Sequence, residues 1–355
     1  MEDPEDATNP VYTKITITGI REEAPGVKTF TFGGEDAKAI QYKPGQYLTF
    51  AYQSPQGEVR RSYSITSSPA LCEPLAIGVK RVENGFFSRM LVDKAQAGDT
   101  LYTIGATGLF TLPDNLSSYK QVFLLAAGSG ITPMYALLKT LLYAYPELKV
   151  VLIYSNNNPG VTIFRKELAQ LAQDFPEQFK LEFLYSIAPD LSRARLYKDL
   201  LQQLLRRHAV APYSETLFYL CGPTTYMRMC FYALRQVEVP NDNIRRESFS
   251  TTKVKVPLLP PDTDQHKVVV HLKNREYQLQ VQYPQTILQA ARKAGVPLPY
   301  SCEAGKCGSC AARCTTGQVW MSYNEVLTEK DLAKGLTLSC VGYPVGGEVV
   351  LKVME

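Results

Sequence analysis

Four cysteines near the C-terminal end constrain this chain more than any other feature. Cys302, Cys307 and Cys310 are separated by four and then two residues, and Cys340 follows after 29 more. That C-x4-C-x2-C…C spacing belongs to a loop whose four thiolates ligate a [2Fe-2S] cluster. The intervening Gly305, Gly308 and Ser309 suit such a loop, because small residues let backbone N–H groups approach the cluster sulfurs. Zinc is the competing reading, but zinc sites usually pair two C-x2-C elements, and that pairing is not seen here. Cys314, four past Cys310 on an expected strand, reads as a small buried hydrophobe, as do Cys72 and Cys230.

At 355 residues the chain exceeds one ordinary core and has room for two or three domains. With 45% hydrophobic and 20% charged residues, its composition is that of a globular protein and excludes disorder. A net charge of +4 over this length implies neither a nucleic-acid partner nor attraction to a membrane surface. No apolar run approaches the roughly 20 residues that span a bilayer, and the best, from Val122 to Ile131, is broken by Gly128 and Gly130. The opening Met1-Glu2-Asp3-Pro4-Glu5-Asp6 lacks the basic and apolar regions of a secretory signal, so the expectation is a cytoplasmic protein whose mature chain starts there. In that reducing compartment closely spaced cysteines hold metal rather than form disulfides.

Hydrophobic periodicity divides the chain into three folded parts. Residues 11–112, after an acidic tail at 1–10, alternate in short segments such as Ile15–Thr18, Thr29–Phe32, Tyr47–Phe50 and Leu75–Val82 between Gly and Pro turns, with one helix at Ser88–Asp93. They read as a closed antiparallel β-barrel. Residues 113–250 change rhythm. Strands at Val122–Leu125, Val150–Tyr154, Leu181–Ser186 and Leu217–Leu220 are interleaved with helices at Met134–Tyr145, Phe164–Gln173 and Leu196–Arg206, which implies an α/β parallel sheet. Pro257, Pro260 and Pro261 mark a linker at 251–264, and residues 265–355 form a small α+β domain with strands at Lys267–Leu272, Glu276–Val281 and Glu348–Val353 and a helix at Ile287–Ala294.

Two further constellations carry chemistry. Arg61-Ser62-Tyr63-Ser64 places in one stretch what a flavin needs: a cation for phosphate, an aromatic face for the ring, and a hydrogen-bonding group near the atom that receives hydride. Alone, this pattern also describes an ordinary exposed barrel strand. Gly85-Phe86-Phe87-Ser88 then opens a helix whose free N–H groups favour a pyrophosphate, unless it is merely a turn with Ser88 as N-cap. Ser62, Val79, Lys80 and Phe87 are counted with this flavin site. In the α/β part, Gly128-Ser129-Gly130-Ile131-Thr132-Pro133 joins a strand to a helix, and Cys221-Gly222-Pro223 follows a later strand. Two such strand-end turns fit a nucleotide lying over the carboxyl edge of a sheet.

The barrel motif Arg-x-Tyr-Ser and the Cys221-Gly222-Pro223…Met227 element resemble those of the ferredoxin-NADP reductase superfamily, and Leu298–Cys310 with Cys340 resembles the β-grasp-like ferredoxin domain of oxygenase reductases. In this order the whole chain resembles the reductase components of phenylacetyl-CoA epoxidase and related multicomponent oxygenases. The resemblance implies FAD on the barrel, with FMN the alternative, and places its diphosphate at Gly85 and Ser88. It implies NADPH or NADH at Gly128, Gly130, Thr132, Pro133, Gly222, Pro223 and Met227, with Cys221 bordering the nicotinamide beside Ser64. Glu247 and Phe249 match a terminal Glu-x-Phe whose ring approaches the flavin; core packing is the alternative for Phe249. Ser64, Cys221 and Glu247 are the expected catalytic residues, and Cys302, Cys307, Cys310 and Cys340 the metal ligands. Coenzyme choice stays open, because Tyr154-Ser155-Asn156-Asn157-Asn158 lacks the Arg that relatives often place there, leaving Ser155, Asn156, Arg165 or Arg193 to receive a 2′-phosphate. The expected partner is an oxygenase or hydroxylase component. A stand-alone reductase of a soluble acceptor and a non-catalytic electron carrier or redox sensor are the rival readings. Residues 265–355 hold ten Lys and Arg against seven Asp and Glu, which argues against an acidic docking face.

Overall fold

The computed structural model describes residues 12–54, 57–253 and 259–354, so the expected acidic tail and residues 254–258 of the expected linker lie outside the described residues. The chain divides into two compact units, Met1–Arg246 and Glu247–Glu355.

The first unit opens with β1 (Thr13–Ala24), β2 (Val27–Gly33), α1 (Glu35–Ala39), β3 (Tyr47–Ser54), β4 (Gly57–Ser64), β5 (Ala76–Lys80), α2 (Phe86–Lys94) and β6 (Thr100–Thr107). The strands form one sheet in the order β4-β3-β6-β1-β2-β5 with antiparallel neighbours. Ile65, just past β4, bridges Ile77 of β5, so the two ends of the sheet meet as a barrel. Every second residue faces inward: Ile15 and Ile17, Phe30 and Phe32, Leu48, Phe50 and Tyr52, Ile77 and Val79 share one core. β6 is a strand that the local sequence does not announce. Of the cysteines expected to be buried, Cys230 is; Cys314 is only half-buried, and Cys72 is exposed, because it ends a short turn in a left-handed conformation (φ 53°).

The same unit continues through β7 (Gln121–Ala127), α3 (Ile131–Ala144), β8 (Lys149–Asn156), α4 (Arg165–Asp174), β9 (Phe179–Tyr185), α5 (Lys198–His208), β10 (Thr216–Cys221), α6 (Thr224–Gln236) and β11 (Ile244–Glu247). The sheet order is β11-β10-β7-β8-β9, with β10, β7, β8 and β9 parallel. Alternation assigns the two faces: Val122, Leu124 and Ala126 pack with α3 and α4, while Phe123 and Leu125 pack with α5 and α6. The strand order reverses between β7 and β10, the switch point at which open α/β sheets bind ligands.

Helix α3 is also clamped to the barrel side of the unit. Lys139, buried on α3, pairs with Glu73, which accepts the Ser68 N–H at 2.8 Å, and the Ser68 and Thr140 hydroxyls bond at 2.7 Å. Burial lowers the Lys139 pKa, and Glu73 offsets part of that shift.

The second unit contains β12 (His266–Leu272), β13 (Arg275–Val281), α7 (Ile287–Lys293), β14 (Ala311–Met321), α8 (Glu329–Ala333), β15 (Leu336–Leu338) and β16 (Gly342–Val353). Its sheet runs β13-β12-β16-β14-β15, with the first and last strands, β12 and β16, parallel at the centre. Thr286 and Gln289 cap α7 reciprocally. β16 starts six residues before the expected Glu348, because Gly342–Pro344 pairs with Val319–Met321 of β14, a partnership invisible to local pattern. No helix among the described residues is long and apolar enough to cross a membrane.

Replacing Glu73 with Ala strands the Lys139 ammonium in the interior. We expect a loss of about 1–3 kcal/mol in denaturant unfolding, below the range for a fully buried pair because Glu73 is partly exposed, and recovery when Lys139→Met is added.

Candidate functional site

The cluster loop joins α7 to β14. Its backbone turns through positive φ at Glu303 (49°), Gly305 (71°) and Gly308 (75°), and a Cβ on Gly305 would lie 2.8 Å from the Tyr323 carbonyl oxygen. This coiling turns N–H groups toward sulfur: Ala304 donates to Cys302 Sγ at 3.4 Å, and the Gly305 N–H bonds Cys340. The four thiols fall into two pairs. Cys307, hydrogen-bonded to Cys302, pushes the Cys302 pKa up, and burial adds to the shift. Cys310 is raised by its bond to Cys340, which is itself lowered by that bond. Among the described residues no three His, Cys, Asp or Glu side chains converge on a single metal ion. Two thiol pairs would instead suit a di-iron cluster held by four thiolates. The residues present fit a [2Fe-2S] cluster.

The nucleotide turns meet at the switch point. A Cβ on Gly130 would sit 2.1 Å from the Cys221 carbonyl oxygen, and one on Gly222 would sit 2.9 Å from Ala127 Cβ, so the two turns close on each other only because both residues are glycine. Beside them lies a cavity of ≈ 630 Å³ whose lining includes Gly128, Ser129, Ser155, Asn156, Pro223 and Tyr226. Asn156 is buried at the end of β8. With Ser129 and Ser155 it gives the cavity a polar wall, which fits a polar ligand.

Several expected residues stand elsewhere. Met227 is buried in the core under α6, and Tyr226 and Met229 of that helix line the cavity instead. Thr132 is buried, donates to the Ser129 carbonyl at 2.9 Å, and packs where Gly78 of β5 leaves room, while Pro133 is buried in the first turn of α3. Arg165 is exposed at the start of α4 and is not among the lining residues, and Arg193 is held by Glu182. Among the described residues the cations that line the cavity are Lys80, from the end of β5, and Arg195, and no carboxylate lines it. Lys80 is among the expected cofactor-binding residues and Arg195 is not, since nothing local reveals that the barrel's last strand edge faces the turn after β8.

On the barrel, Tyr63 of β4 packs 6.2 Å from Phe50 and 5.9 Å from Phe87, while Arg61 is exposed. Ser62 bonds Thr49 Oγ1 at 2.8 Å, and Ser64 is buried opposite Tyr47. Val79 and Phe87 are core residues. Gly85 precedes α2, whose start carries no capping side chain, and the Ser88 hydroxyl accepts from Val82 N–H and donates to the Gly85 carbonyl, both at 3.1 Å. The uncapped start of this nine-residue helix, beside a half-buried tyrosine, fits a flavin diphosphate and ring. In the second unit, burial and nearby Cys307 push the Glu247 carboxyl up to about 8, and Phe249 remains 50% exposed, which rules out core packing for it.

Three family models match this chain: an oxidoreductase FAD-binding domain over residues 14–112, an oxidoreductase NAD-binding domain over 124–231, and a 2Fe-2S iron-sulfur cluster binding domain over 270–345. The chain is 31% identical over 348 residues to a subunit of the 1,2-phenylacetyl-CoA epoxidase of Escherichia coli, covering 96% of this chain and 97% of that protein. It belongs to the family of oxygenase reductase components. The ferredoxin reductase component of 3-ketosteroid-9-alpha-monooxygenase from Mycolicibacterium smegmatis is 32% identical over 95% of each chain. Phthalate dioxygenase reductase shares the fold at a TM-score of 0.59 and 24% identity, covering 96% of this chain and 98% of that one. An intact type IV self-sufficient cytochrome P450 monooxygenase shares it at a TM-score of 0.70 and 22% identity, covering 99% of this chain and 42% of that one. This oxygenase reductase is therefore an oxidoreductase that carries electrons from NAD(P)H through FAD to a [2Fe-2S] cluster and on to an oxygenase component.

Gly130→Ala should drive a methyl into the Cys221 carbonyl and weaken nucleotide binding tenfold or more, a cost in the range for overpacking. Titration with NADP+ followed by flavin difference absorbance checks it, with the flavin content of the variant unchanged.

Proposed function

We propose that NADPH is the coenzyme of this oxygenase reductase and that Arg195 reads its 2′-phosphate. The observation carrying this reading is the charge of the cavity wall: among the described residues Lys80 and Arg195 line it and no Asp or Glu does. A site selecting NADH places a carboxylate against the ribose 2′-hydroxyl, whereas a site selecting NADPH offers a cation. Ser155 and Asn156, at the end of β8, supply neutral hydrogen-bonding groups beside it. The Gly128–Gly130 turn admits the pyrophosphate, with Lys80 as its counter-charge.

The flavin, when bound, accepts a hydride and gives up electrons one at a time. Around it Tyr63 covers the ring, Arg61 and the start of α2 hold the phosphates, and Ser64 presents its hydroxyl where hydride arrives. Cys221 and Gly222 exclude water from the approach of the nicotinamide. Cys302, Cys307, Cys310 and Cys340 hold the two irons. The acceptor is an oxygenase component. Relatives of nearly equal identity serve an epoxidase and a steroid monooxygenase, so substrate identity resides in the partner. We place the protein in the cytoplasm, where the thiols that do not hold iron, such as Cys72 and Cys230, stay reduced.

Arg195→Ala should raise KM for NADPH by about 10- to 100-fold and leave that for NADH unchanged, the cost of one charge-assisted hydrogen bond. An equal loss with both coenzymes contradicts the assignment. Cys310→Ser should retain ferricyanide reduction by NADPH and lose electron delivery to the oxygenase; undiminished delivery contradicts the relay.

A further inference from the structure

Lys306 stands between the ligands Cys302 and Cys307 and is only 7% exposed. Its Nζ donates to the Thr252 carbonyl at 2.9 Å and lies 6.0 Å from the centre of the Tyr323 ring. An ammonium carries three donors, and removing it from water is costly unless its charge is met. Among the described residues no carboxylate pairs with it. The acid on the same loop, Glu303, is engaged instead by Lys253 at 3.5 Å and Arg292 at 3.2 Å. Beyond one carbonyl and the face of one aromatic ring, this buried cation has no ion-pair partner among the described residues. The backbone N–H of Lys306 bonds the Cys302 sulfur, which sets the residue beside thiolates that would carry negative charge with the cluster bound, and the reduced cluster carries one more negative charge than the oxidised one.

We infer that Lys306 is a positioning residue that sets the reduction potential of the cluster: its ammonium, fixed by the Thr252 carbonyl, favours the reduced form and makes the cluster a better acceptor of electrons from the flavin. The inference rests on the [2Fe-2S] assignment above. Burial gives it force, because a charge in a low-dielectric surrounding acts on its neighbour far more strongly than one screened by water and salt. Lys253 is the internal comparison. It lies in the same unit and carries the same charge, but its side chain is 63% exposed and already paired with Glu303.

The test is redox titration of the intact holoprotein, following cluster absorbance and the electron paramagnetic resonance signal of its reduced form, for wild type and for Lys306→Met, Lys306→Arg and Lys253→Met. Lys306→Met should shift the electron-sharing equilibrium against the cluster about tenfold, which is about 59 mV for a one-electron couple. Lys306→Arg should stay near wild type, and Lys253→Met should move by less than a third as much. Equal shifts in Lys306→Met and Lys253→Met overturn the inference, since net charge alone then explains them. Hydrogen exchange of residues 249–253 separates a purely structural tether: faster exchange in Lys306→Met with an unmoved potential also overturns it. In both outcomes NADPH still reduces the cluster, so the electron-transfer assignment survives; failure of wild type to bind iron would instead remove that assignment.

Discussion

A hydride carries two electrons and a [2Fe-2S] cluster accepts one, and the construction of this chain follows from that mismatch. The two-electron side requires a flavin and a nicotinamide to meet on one folded unit, and the barrel and parallel sheet share such a unit. The Lys139–Glu73 and Ser68–Thr140 contacts tie α3 to the loop before β5, and Gly78 of β5 gives up its side chain to admit Thr132. The one-electron side is a separate unit with its own sheet and core, as suits a module that must also meet an external protein.

Much of this was legible in the sequence because the chemistry forces rare patterns. A cluster loop must coil tightly, so glycines fall at fixed places between cysteines. The spacing named the four thiols, but their pairing, Cys302 with Cys307 and Cys310 with Cys340, appears only in the folded loop. The alternating cores of the barrel and the two-faced parallel sheet were equally readable, since period-two burial is imposed by the strand itself. Helix ends were less so. α5 starts at Lys198 rather than Leu196, because Tyr197 enters the helix in extended conformation, and no capping side chain marks the start.

What stayed hidden depends on elements far apart in sequence. Lys80 belongs to a barrel strand and Arg195 to the loop after β9, yet both line one cavity. No local pattern could join them. Arg193 and Arg165 are the cations that sequence alone favours, but Glu182 holds the first and the second stands outside the cavity. The motif around Met227 points to the nucleotide site, whereas the turn of α6 sends this residue into the core and presents Tyr226 and Met229. Lys306 is the sharpest case: nothing local singles it out between two cysteines, and only the fold buries it with its ammonium on the Thr252 carbonyl.

Flavin and cluster form one electron path within a single polypeptide. Anaerobic addition of NADPH to the purified holoprotein, followed through the visible spectrum of both chromophores, tests this path. Flavin and iron-sulfur absorbance should bleach together within a turnover time, and a paramagnetic reduced cluster should accumulate. Full bleaching of the flavin beside a cluster that stays oxidised would contradict it.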